Sequence, residues 1–61
     1  MKYRLYLLDP SGRTNRATET DYANDDDAIA GADEERGASD AELWCGKTMV
    51  TKFRRVVTHY R

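Results

Sequence analysis

Residues 2–8, KYRLYLL, are aromatic and aliphatic, with neither Gly nor Pro, and predict a strand. Alternation sets Tyr3, Leu5 and Leu7 on one face and Arg4, Tyr6 and Leu8 on the other. Both faces carry apolar groups, as expected of a central strand. Asp9-Pro10-Ser11-Gly12 is a turn: Pro10 presets its own φ and the Asp9 carboxylate reaches the backbone ahead of it. The polar, Thr-rich stretch at about 13–20 then reads as an edge strand completing a hairpin. Asn24 followed by Asp25, Asp26 and Asp27 predicts a helix start, with Asn24 as N-cap and Asp27 as a capping-box variant. The helix runs to about Arg36 and stops at Gly37. Its apolar stripe is narrow: Ala28, Ile29, Ala32 and the stem of Arg36. Gly31 lies mid-helix at a cost of about 1 kcal/mol against Ala, and its small size allows close approach to a sheet.

Residues 41–45, AELWC, predict a third strand, and Gly46-Lys47 is a two-residue turn of type II′. A fourth strand runs from Thr48 to about Val57, with Met49, Thr51 and Phe53 sharing a face and Val50, Lys52 and Arg54 the other. The order is β-β-α-β-β. The expected fold class is α+β, a two-layer arrangement of one helix on a four-stranded, mainly antiparallel sheet. It forms one domain over residues 1–61, with 58–61 frayed. One helix covers one sheet face, so the other is open, and Tyr6, Leu8 and either Trp44 or Val50 are expected there.

The composition narrows the function. The chain is 61 residues long, and a domain of this size buries only about 60% of its unfolded surface. That leaves little stability for a strained catalytic pocket. No apolar run approaches membrane-spanning length, and the start lacks the apolar core of a signal peptide. A single cysteine suits a reducing compartment, so the expected location is cytoplasmic. The net charge of -1 hides segregation: residues 1–18 carry +3, residues 19–42 carry -9 and residues 43–61 carry +5.

Tyr3-Arg4-Leu5-Tyr6-Leu7-Leu8-Asp9, Gly12-Arg13, Arg16-Ala17, Asp25-Asp26-Asp27-Ala28-Ile29, Glu42-Leu43-Trp44, Gly46 and Val50 form a pattern over residues 3–50. In these residues the chain resembles a group of small uncharacterised bacterial proteins of about this length, of the alphaproteobacterial type. The resemblance implies an intracellular bacterial protein and brings no catalytic or ligand motif. The basic stretch from Lys52 to Arg61, and Cys45 where the group tends to carry a polar residue, depart from it.

No catalytic or metal site is expected. Consecutive aspartates at 25–27 point about 100° apart on a helix and cannot converge on one ion. One His and one Cys are too few to ligate zinc, and His59 and Cys45 lack the partners that nucleophilic or acid–base chemistry needs. The helix N-terminus is filled by carboxylates and repels phosphate. No cofactor is implied. Three binding readings compete. The first is a protein-interaction module, self-associating through the open face or a strand edge, with Arg4, Tyr6, Leu8 and Trp44 at the interface and a second copy or another protein as partner. The second is nucleic-acid binding, with Arg4, Lys52, Arg54 and Arg55 as phosphate contacts beside exposed aromatics. The pI of about 5.7 weighs against it. The third is a mobile-element inhibitor that docks through Asp33, Glu34 and Glu35. The matching plain explanations are helix capping for the aspartates, a solvated face for the acidic residues and core packing for Tyr3 and Phe53.

Overall fold

The structure, a computed structural model, is described for residues 1–54. Its elements are β1 (Lys2–Leu8), β2 (Thr14–Asp21), α1 (Asp25–Arg36), β3 (Asp40–Cys45) and β4 (Thr48–Phe53). The fold class is the expected α+β. The sheet order is β2-β1-β3-β4 with every neighbouring pair antiparallel. β1 is central, as its two apolar faces require. β2 and β3 run parallel to each other on either side of it, bridged by the helix. The expected extension of β4 to Val57, Arg55, and the fraying of 58–61 lie outside the described residues.

Local chemistry sets each boundary. The Asp9 carboxylate accepts from the Ser11 hydroxyl (2.6 Å), the Arg13 backbone N–H (2.9 Å) and the Ser11 N–H (3.0 Å). These bonds, the Ser11 hydroxyl first, hold its pKa below the usual carboxylate value. The Asn24 side chain accepts from the Asp27 N–H at 2.8 Å, the expected N-cap. At Gly46 φ is +60°, while no non-glycine residue among those described has positive φ, so the β3–β4 turn has the type II′ signature.

The core lies between α1 and one face of the sheet. Tyr3, Leu5, Ala28, Ala32, Ala41 and Leu43 are buried, with Leu7, Tyr22, Ile29, Cys45, Val50 and Phe53 packed around them. Ala28 and Ala32 face Ala41 and its neighbours, so small side chains bring helix and sheet together. Gly31 serves a related end. A Cβ at this position would collide with the Tyr22 ring, reaching 2.7 Å from Cε1 and Cζ. The glycine that weakens the helix thus seats Tyr22, whose ring meets Tyr3 edge-on at 5.9 Å. The Tyr3 hydroxyl donates to Asp25 at 2.5 Å, tying β1 to the first turn of the helix. At the other end the Arg36 guanidinium stacks over Phe53 at 4.8 Å and bonds to Asp33 at 2.8 Å and the Ser39 carbonyl at 3.0 Å.

One expectation is corrected. A register shift between Leu43 and Trp44 pairs Leu43 with Thr51 but Trp44 with Met49. Val50 is the extra residue of this bulge and packs against the core instead of lying on the open face. Met49 lies across from Trp44 on the open face, 40% exposed, and no longer shares a face with Thr51 and Phe53.

Two outcomes follow. Gly31→Ala will fail to stabilise the wild-type chain in chemical denaturation. In a Tyr22→Ala background the same change will stabilise by about 1 kcal/mol, the helix-propensity difference. Tyr3 is raised from 10.0 to about 12, first by its bond to Asp25 and then by burial. An unfolded Tyr3 ionises near 10.0. Stability is therefore intact below that pH and falls as pH rises toward 12. Phenolate absorbance will include a late component from Tyr3, and Tyr3→Phe will remove it.

Candidate interaction face

The sheet face opposite the helix carries the candidate site, and pairing across strands defines it row by row. Glu19, Arg4, Trp44 and Met49 form one row across β2, β1, β3 and β4. Ala17, Tyr6, Glu42 and Lys52 form the next. Lys2 pairs with Asp21 at one end, and Leu8 pairs with Asp40 at the other. The structure therefore brings together all four sequence-derived interface residues, Arg4, Tyr6, Leu8 and Trp44. Tyr6, Leu8 and Trp44 are half-buried and Arg4 is exposed.

The polar groups on this face engage one another. Arg4 donates to Glu19 at 3.3 Å and, weakly, to the Tyr6 oxygen at 3.4 Å. Tyr6 first and Glu19 second hold the Arg4 pKa above its ordinary value. The Trp44 indole N–H donates to Glu42 at 3.2 Å. Trp44 thus lies along its own strand, half-buried, with its polar edge satisfied.

Two shallow depressions of about 220 Å³ open on or beside this face. One is lined by Lys2, Arg4, Tyr6, Glu19 and Gly46. The other is lined by Leu8, Gly12, Asp40, Glu42, Lys52, Phe53 and Arg54. Of the residues proposed to contact phosphates, Arg4, Lys52 and Arg54 lie on or beside this face: Arg4 pairs with Glu19, Lys52 stands across from Glu42 on the neighbouring strand, and Arg54 lines one depression with Asp40 and Glu42. Arg55 lies outside the described residues. The sequence reading missed Glu19, Glu42 and Met49. Glu42 was accessible to it, standing two residues before Trp44 on one strand. Met49 was not, because a bulge cannot be read from alternation.

On the helix, Asp33 bonds to Arg36 and Glu35 accepts from the Thr18 hydroxyl at 2.8 Å. Two of the three carboxylates of the proposed inhibitory surface therefore serve the chain's own packing. Among the described residues, no three His, Cys, Asp or Glu side chains are grouped to hold a metal ion, and no helix is long and apolar enough to cross a membrane.

Glu42→Ala will shift the emission of Trp44, the only Trp, by removing its hydrogen-bond partner, while far-UV circular dichroism stays unchanged.

No protein-family model, no curated protein and no solved structure matches the chain.

Proposed function

We propose that this chain is a small non-enzymatic interaction module of the cytoplasm that self-associates through the open face of its sheet. One observation carries the reading. The face opposite the helix has no covering layer among the described residues, yet it gathers Tyr6, Leu8, Trp44 and Met49 within a balanced set of charges. Aromatic anchors with polar edges are what an interface core uses, and covering such a face is the simplest way for so small a domain to gain stability. The single cysteine, half-buried in Cys45, supports a reducing compartment.

A strand edge is the less favoured route. β2 is exposed along nearly its whole length but polar, with little apolar surface to reward pairing. Nucleic-acid binding draws support from Lys52 and Arg54, which line one depression beside Leu8 and Phe53. The same depression carries Asp40 and Glu42, which oppose a phosphate backbone. The inhibitor reading has least support, since Asp33 and Glu35 are engaged within the chain.

Size exclusion with light scattering is expected to give a mass near twice 7.0 kDa. Trp44→Ala with Tyr6→Ala should raise the dimer Kd by about tenfold or more without loss of fold, as truncation of interface anchors does. A chain that stays monomeric at high micromolar concentration overturns the reading. Retention of single-stranded nucleic acid that weakens steeply with salt would replace it with the second.

A further inference from the structure

The open face carries one side chain whose polarity can be changed by simple chemistry. Of the four apolar groups gathered there, Tyr6 and Trp44 have their polar edges engaged and Leu8 is inert. Met49 is a thioether. Peroxides convert such a group to a polar, chiral sulfoxide, and dedicated reductases convert it back. Met49 is 40% exposed, so an oxidant in solution reaches it.

The fold makes this placement. Plain alternation would put Met49 on the same side as Thr51 and Phe53. The bulge between Leu43 and Trp44 instead turns Val50 into the core and sets Met49 across from Trp44. Trp44 and Met49 are the apolar half of the row Glu19, Arg4, Trp44, Met49. A sulfoxide at Met49 sets a strong dipole next to Trp44, and covering that dipole is unfavourable unless it finds a hydrogen-bond donor. The other two sulfur atoms of the chain lie elsewhere. The Met1 backbone pairs with Tyr22, and its sulfur accepts from the Tyr3 hydroxyl at 3.9 Å. Cys45 is half-buried and packs against the core.

Resting on the self-association proposed above, we infer that Met49 is a peroxide-modification site that switches this face: the thioether supports association and the sulfoxide opposes it. The step balances. A sulfur lone pair attacks one peroxide oxygen, an S–O bond forms, the O–O bond breaks and water leaves. Sulfur loses two electrons and the peroxide gains them. Association in turn covers the sulfur, so the free chain is the form that oxidises faster.

The test uses the full chain carrying Cys45→Ser, treated with graded hydrogen peroxide and shown folded by circular dichroism. Digestion with mass spectrometry locates the sulfoxide, Trp44 emission follows the open face, and light scattering gives the dimer Kd. Expected are oxidation of Met49, a shift in Trp44 emission in step with it, and a dimer Kd raised by about tenfold. Methionine sulfoxide reductase should reverse both changes. Adding Met1→Leu should leave the response intact. Adding Met49→Leu should abolish it, peroxide then changing neither the emission nor that variant's own Kd. Met49→Gln, a fixed polar side chain of similar length, should weaken association without peroxide. A Met49 that resists peroxide in the dilute chain overturns the switch and leaves self-association standing. So does an oxidised Met49 with unchanged Kd, or a loss of association that persists in Met49→Leu. A chain that is monomeric before treatment overturns both.

Discussion

The ring of Tyr3 is the contact on which the rest of the molecule depends. It stands on the central strand and is 1% exposed. Its edge meets Tyr22, its hydroxyl reaches Asp25, and it shares the core with Leu5 and Leu43. A twelve-residue helix whose only large apolar side chain is Ile29 cannot hold itself to a sheet by burial alone. Here a strand side chain reaches out to the helix. Gly31 completes the arrangement by accepting the Tyr22 ring where any larger residue would push it away. The cost of a mid-helix glycine is offset by an aromatic contact that locks the helix over β1.

That solution divides the sheet into two surfaces with different tasks. Toward the helix it presents Tyr3, Leu5, Ala41 and Leu43, all buried. Away from the helix it presents aromatic rings embedded in ionic rows. Cross-strand pairs such as Arg4 with Glu19 hold neighbouring strands in register, though each exposed pair contributes little by itself.

Much of this was legible in the sequence because it is local. The limits of β1, the Asn24 cap, the helix span and the Gly46 turn each follow from a few adjacent residues. The grouping of Arg4, Tyr6 and Leu8 followed from alternation together with the count of one helix, whereas alternation left Trp44 and Val50 as alternatives for the same face. What was illegible is non-local. The bulge beside Trp44 exchanged the places of Met49 and Val50, and no pattern within β4 announces it. Tyr22 lies between two elements and belongs to no periodic stripe, so its place against Gly31 appears only once the helix has folded back. The mixing of acidic and basic residues on the open face depends on a strand order that interleaves the basic start of the chain with its acidic middle. In the linear sequence the same charges read as three blocks.

The order β2-β1-β3-β4 also governs how the molecule assembles. The two hairpins close over short turns, but β1 must find β3 across most of the chain, with Leu5 opposite Leu43. Joining distant segments is the slow, entropically costly step of folding, and here that one seam unites the two hairpins. Arg4 and Trp44 meet across the same seam. The open face therefore has no existence in a half-folded chain. A ligand of that face binds only molecules that have closed the seam, and by mass action it draws the folding equilibrium forward with it.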